Sequence, residues 1–186
     1  MTLIGRSEDA ALERLLDTFA RCHQGSAMRN QNMSSVALQI AASSGATMAH
    51  SVASSLLTLG DKHGPADLAR IAIYDRSTES IEASVENGEK VCGWGNSFYK
   101  TSVDPSFLDL AHLVREEYPD HEEKLKRVSE IIFKSSGKAL YPNPAAYTAV
   151  CAEILNLPRG SEIMLFILAR VPAWSALWVQ CAGGTR

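Results

Sequence analysis

From Leu12 to Cys181 the apolar residues recur at steps of three and four, and no stretch alternates with period two for long. Such spacing turns one face of each segment toward a core as a helix does and leaves no candidate strand. The expected class is therefore all-α. Leu12, Leu15, Leu16 and Phe19 mark a first helix, with Ser7 as N-cap and Glu8 and Asp9 in the first turn, where the helix dipole favours acids. It is expected to end near Cys22, with the polar His23–Gln31 as a loop around Gly25. Asn32 caps a second helix carrying Val36, Ala37, Ile40 and Ala41; Gly45 breaks it, and Ala46–Leu59 forms a third. Helices follow over Ala66–Tyr74, within 77–89 up to an Asn87-Gly88 stop, and from Asp104-Pro105 through Val114. Glu122–Lys134, ended by Gly137, then Ala145–Leu155, Ile163–Ala169 and Trp174–Cys181 complete the set, with Pro119 and Pro172 as interruptions.

A chain of 186 residues predicts one domain, or one domain with an inserted lobe, large enough for a sizeable core. A net charge of −3 without any lysine or arginine run argues against nucleic acid as partner. The cysteines, Cys22, Cys92, Cys151 and Cys181, lie far apart without metal-ligand spacing, so reduced thiols and no metal are expected. The N-terminus has no apolar signal region, and the longest apolar run, near Ile163–Ala169, is too short to span a bilayer. The expectation is a soluble cytoplasmic protein that engages no membrane. Between Ala41 and Ser55 the residues are almost all Ala, Ser, Gly or Thr, which lets two helices approach closely. Two readings stay open for this pair: an internal helix contact, or a homodimer interface through residues 32–59.

The least regular segment is Val91–Lys100, V-C-G-W-G-N-S-F-Y-K. Gly93 and Gly95 permit backbone angles closed to other residues and bring main-chain groups close to whatever Trp94 covers. Asn96 follows at once, placed to project a polar side chain from the end of that turn.

Three segments together resemble the citrate synthase superfamily. Gly60–Ala66, G-D-K-H-G-P-A, is similar to the family's Gly-x-x-His-Gly turn. Gly93–Pro105, G-W-G-N-S-F-Y-K-T-S-V-D-P, is similar to its Gly-Phe/Tyr-Gly-His…Tyr-Lys…Asp-Pro segment. Within 140–174, Y-P-N-P-A-A-Y-T resembles Pro-Asn-Val-Asp-x-Tyr-Ser, and L-A-R-V-P-A-W resembles Ala-Arg-Thr-x-Gly-Trp. The resemblance implies a helical dimer with a small lobe inserted in a larger one and the active site in the cleft between them. Residues 70–140 would be the small lobe, and 1–69 with 141–186 the core of a truncated large lobe. The resemblance further implies that the N-terminal helices of a full-length synthase would have no counterpart here, as in the shorter citryl-CoA lyase-like members.

In that family a carboxylate removes the thioester α-proton, one neutral histidine holds the enolate oxygen, and a second polarises the keto acid's carbonyl. Arginines bind the substrate carboxylates. His63 matches the first histidine and Asn96 the second; an amide can donate a hydrogen bond but cannot give up a proton at neutral pH. Ala145 stands where the catalytic carboxylate belongs, with Asp104 and Asp67 the nearest acids able to substitute. Arg170 matches one carboxylate-binding arginine, and Ser106 replaces another. A substrate histidine ahead of the second helix corresponds to His23 if Gly25–Gln31 is an insertion, or to Arg29 without a gap. For coenzyme A, the Gly93-Trp94-Gly95 loop would offer main chain to adenine and Lys100 a charge to phosphate, while Val103 is one extra residue before Asp104. Trp94 and Tyr99 read equally well as packing aromatics. The resemblance thus implies either lyase- or synthase-type C–C chemistry on an acyl-CoA, with a di- or tricarboxylate and impaired standard catalysis, or a non-catalytic dimeric binding or interaction module.

Overall fold

Nine α-helices and one 3-10 turn make up the regular structure of the described residues, 3–29 and 32–183, in this computed structural model. In order they are α1 (Leu3–Arg29), α2 (Met33–Ser43), α3 (Met48–Leu56), α4 (Ala66–Tyr74), α5 (Thr78–Glu86), the 3-10 turn Pro105–Phe107, α6 (Leu108–Glu117), α7 (Pro119–Ser136), α8 (Pro144–Ile154) and α9 (Glu162–Gly183). No strand occurs among the described residues. The class is all-α, as the periodicity indicates.

Several ends follow the expected chemistry. Asn32 caps α2 by accepting the Ser35 amide at 3.0 Å. Asn87 and Gly88 stop α5, and Gly137 ends α7 with φ 69°. Asp104 accepts the Ser106 amide at 2.9 Å and opens the 3-10 turn.

Two expectations are corrected. The first helix does not stop at Cys22: α1 continues through Gly25 to Arg29, and Ser7 lies inside it rather than capping it. Asn30 and Gln31, the rest of the expected loop, lie outside the described residues. Within this expected loop His23, Ser26 and Ala27 are buried, at 0%, 2% and 2% exposure. Tertiary packing decides there. The second correction joins the last two helices, because Pro172 sits inside α9. Proline removes the bond to the carbonyl four residues back, and Leu168, at that position, is 66% exposed, so water can satisfy its oxygen. The joined helix has 22 residues, long and apolar enough to cross a membrane by length and composition. Here it buries Phe166, Ala169, Arg170, Ala173, Trp174 and Leu177 against its neighbours.

The main core gathers side chains from α1, α4, α5, α6, α7 and α8. A smaller cluster joins Leu38 of α2 to Trp174 and Leu177 of α9. The small residues of α2 and α3 serve a contact within the chain: Ser34, Ser35, Ser51 and Ser55 are buried, and Ser55 Oγ donates to the Ser34 carbonyl at 2.8 Å. The outer faces of the same helices expose Met33, Ile40, Met48 and Leu56, and Leu57 just past α3 is exposed as well. An ion triad ties the frame together. Arg70 of α4, 4% exposed, donates to Glu153 of α8 at 2.7 Å and to Glu162 of α9 at 2.6 Å.

Candidate functional site

Where α1, α8, α9 and the 3-10 turn meet, a buried polar cluster forms around Arg170. Arg170 is 3% exposed, and its Nε donates to His23 Nδ1 at 3.1 Å. His23 Nε2 lies 3.0 Å from Thr148 Oγ1, whose hydroxyl donates to the Pro144 carbonyl at 2.8 Å. Thr148 therefore meets the histidine with a lone pair, and His23 carries its single hydrogen on Nε2. Burial, then the Arg170 charge, holds the His23 pKa well below its ordinary value. Arg170 Nη2 reaches Ser26 Oγ at 3.4 Å, and Ser26 Oγ donates to Asp104 Oδ2 at 3.0 Å. Asp104 thus acts on the guanidinium through a serine. Burial lowers the Arg170 pKa to about 10, against the opposing pull of Asp104, and Nη1 has no hydrogen-bond partner among the described residues.

His63, in the turn between α3 and α4, is the second element. The Gly60–His63 turn is closed by paired main-chain bonds of 2.9 Å in each direction. The ring is half-buried, its Nε2 lies 3.0 Å from Ser34 Oγ, and it meets Phe166 edge-on with centroids 6.3 Å apart. Phe166 also packs on His23 at 5.0 Å and lies under the Arg170 guanidinium at 5.0 Å. Burial, then the Arg170 charge, lowers the His63 pKa to about 4, so the ring is neutral at neutral pH.

The structure thus brings His23, His63 and Arg170 into one neighbourhood. Arg29 stands apart: it is exposed at the last residue of α1, six residues beyond His23, or about 9 Å along the axis. Asn96 and Lys100 have no contact with the cluster among the described residues. Asn96 Oδ1 accepts the Phe98 amide at 2.9 Å, and Lys100 is exposed.

Gly93-Trp94-Gly95 packs against the start of α8. Gly93, at φ 92°, lies so close that a Cβ would come within 2.9 Å of the Ala69 Cβ and 3.2 Å of the Ala146 Cβ. Its carbonyl accepts the Asn143 amide at 2.8 Å; the Gly95 amide donates to the Tyr141 carbonyl, and the Gly95 carbonyl accepts Asn143 Nδ2, both at 2.9 Å. Trp94 is 7% exposed, its amide donates to Val91 and its Nε1 to Ser129 Oγ at 2.8 Å. The tryptophan is a packing aromatic, and these main-chain groups are committed within the protein. Ala145 is 4% exposed in the core. Ser34, Ser26 and Thr148, which join the site's parts, carry no sequence signal beyond being small polar residues on apolar helix faces. Among the described residues no cluster of three His, Cys, Asp or Glu side chains could hold a metal.

The sequence profile of the citrate synthase C-terminal domain matches residues 1–185. A citrate synthase of Synechocystis sp. is 28% identical over 144 residues, covering 69% of this chain and 36% of that protein. The structure of a citryl-CoA lyase from Hydrogenobacter thermophilus aligns with TM-score 0.76 at 24% identity, covering 92% of this chain and 70% of the lyase. A citrate synthase from Thermoplasma acidophilum, solved as a ternary complex with carboxymethyl coenzyme A and oxaloacetate, aligns with TM-score 0.68 at 25% identity. That alignment covers 93% of this chain and 48% of the synthase. This chain therefore spans little more than a third of the length of the cyanobacterial relative.

Proposed function

The chain belongs to the citrate synthase family, and we propose that it binds a di- or tricarboxylate or its coenzyme A thioester at Arg170, in a site that does not run the standard condensation. One observation carries this reading: a buried guanidinium whose Nη1 has no hydrogen-bond partner among the described residues. A buried N–H donor left without a hydrogen bond is costly, and a ligand carboxylate presented to Nη1 would satisfy it with a charge-assisted bond. The ligands of the Thermoplasma synthase supply the chemical class, an oxo acid and a coenzyme A derivative. His23 positions Arg170 and does not itself meet the ligand, since both of its nitrogens are engaged. The exposed Lys100 is the remaining candidate for the coenzyme's phosphates. Ala145 and Asn96 supply no proton-transfer group, which favours a weakened C–C chemistry of the lyase type; a non-catalytic binding role is the second reading, on the same two residues.

Residues 70–140 as a small lobe belong to this proposal, with the boundary at 70 falling inside α4. So does a homodimer through α2 and α3, whose outer faces expose Met33 (58%) and Ile40 (64%).

Thermal shift with citrate and with coenzyme A tests the ligand assignment. A ligand at a hundredfold excess over its Kd adds about 2.7 kcal/mol of stability. Citrate is expected to raise the midpoint of the native protein and of Arg170→Lys, the latter less, and to leave Arg170→Gln unmoved. A citrate shift that survives Arg170→Gln, or no shift with any carboxylate or coenzyme A species, refutes the reading.

A further inference from the structure

A cavity of about 580 Å³ opens between α6 and α7, consecutive helices joined through Tyr118 alone. That volume lies in the range of small-ligand pockets. Its walls follow from helical spacing. Leu108, Ala111 and Arg115 recur at steps of three and four on α6, and Leu125, Ser129 and Phe133 at steps of four on α7. Each helix therefore turns one stripe toward the space. Leu140, ahead of α8, adds to the apolar lining, and Tyr147 of α8 forms a buried floor at 3% exposure. At the rim Leu108 and Phe133 stand exposed.

Two polar groups of this lining have no partner among the described residues. The Tyr147 hydroxyl makes no hydrogen bond there, although the residue is buried. Burial, then the Glu122 charge, raise its pKa, so the phenol keeps a hydrogen to donate. Arg115 forms no ion pair among them either, and Glu122, which lines the same cavity, is taken by Lys126 at 3.6 Å. With His112 neutral, the lining carries three cations, Arg115, Lys126 and Lys134, against two carboxylates, Glu122 and Glu130. An occupant with one negative charge balances it. We propose that this cavity binds an aliphatic monocarboxylate, a medium-chain fatty acid, whose carboxylate accepts from the Tyr147 hydroxyl and Arg115 and whose chain lies along the apolar stripes. From Arg115 back to Leu108 the α6 stripe runs about 10.5 Å, which suits an elongated chain. A second carboxylate on that chain would be set against Leu125 and Leu140, where burial penalises charge.

This site is separate from the Arg170 cluster. Tyr147 stacks on Phe107 with centroids 5.7 Å apart, and Phe107 meets His23 edge-on at 4.9 Å. Two aromatic rings thus stand between the cavity and the histidine that holds Arg170. The inference goes beyond the carboxylate reading of Arg170 and does not depend on it.

Titration calorimetry of the full chain with decanoate, kept below its micelle concentration, reads the binding directly. Decanoate is expected to bind about tenfold more tightly than octanoate, from two more buried methylenes, and more tightly than decanol, which lacks the charge. Tyr147→Phe removes only the hydroxyl. It should weaken decanoate about tenfold, while its melting midpoint without ligand stays at or above the native value, because that hydroxyl bonds nothing in the protein. Arg115→Gln should weaken decanoate several-fold and leave decanol unchanged. Ala111→Phe, which fills the cavity, should abolish both. No decanoate binding by the native protein, equal affinity for the two chain lengths, or decanoate affinity unchanged in Tyr147→Phe and Arg115→Gln overturns the proposal. Self-association lost in Ala111→Phe, without carboxylate binding, assigns the cavity to a second copy of the chain and overturns it equally. Citrate binding is read separately through Arg170→Gln, so failure of either reading leaves the other intact.

Discussion

Gly93→Ala tests whether the loop before α8 is held by close backbone contact. At φ 92° an alanine occupies the left-handed side of the map, at a cost of about 1–2 kcal/mol. Its Cβ would also stand 2.9 Å from the Ala69 Cβ and 3.2 Å from the Ala146 Cβ, both in helices that have little room to retreat. Overpacking of that kind costs about 1–3 kcal/mol. The sum, about 2–5 kcal/mol, is a large part of the 5–15 kcal/mol typical of a domain. Urea unfolding should therefore show the midpoint falling by about 1–2 M with the slope unchanged. Ala69→Gly removes the nearer clash but not the backbone strain. By itself it costs about 1 kcal/mol in helix propensity. The double variant should be more stable than the two losses added together, by about 0.5–3 kcal/mol of coupling. A loss below about 1 kcal/mol for Gly93→Ala, or strict additivity with Ala69→Gly, would show that the loop does not depend on this contact.

The ion triad and the exposed faces give the other expectations. Burial acts to raise the Glu162 pKa, but hydrogen bonds from Arg70 and the main chain outweigh it and hold the carboxyl below its ordinary value. A lowered folded pKa contributes stability that is present above the unfolded value and lost as pH falls through the folded one. Glu162→Gln should accordingly cost about 3 kcal/mol near neutral pH, with the gap to the native protein narrowing below pH 4.5, and equal gaps at pH 7 and pH 3 in urea titrations would contradict it. For the homodimer, the native protein should sediment above 20.2 kDa at micromolar concentration and Ile40→Glu as a monomer; a native monomer refutes the interface.

Most helices were legible because their signals are local. Apolar spacing, the Asn32 cap and the Gly137 terminus depend on residues within a turn or two. The last two turns of α1 were not, because His23 and Ser26 look like loop residues until α9 and Asp104 bury and pair them. Pro172 misled for a related reason: proline breaks a helix unless the carbonyl it orphans can reach water, and exposure is a tertiary property. At the site, His63 and Arg170 could be named only through the family motif. The residues that join them could not. Ser34, Ser26 and Thr148 matter through which helix each one faces, and single-sequence periodicity carries no such information. Gly93 and Gly95 were legible as a special backbone turn, both with positive φ, but the partners of that turn were not. Their main-chain groups are paired with residues 141–143, across some fifty residues of chain.

The triad of Arg70, Glu153 and Glu162 has a mechanical consequence for the distant Arg170. Glu162 and Arg170 lie on the same helix eight residues apart, about 12 Å along the axis and some 80° around it. The clamp at the head of α9 therefore acts as a stop against both sliding and rolling of that helix. It engages α4, which begins three residues after His63, and α8, which carries Thr148. The turn that carries His63, the Thr148 hydroxyl and the Arg170 guanidinium are thus tied to three rods pinned at one joint. A tilt of any rod would change the aim of all three groups together, so the site is tuned by the angle at that joint as much as by the side chains themselves.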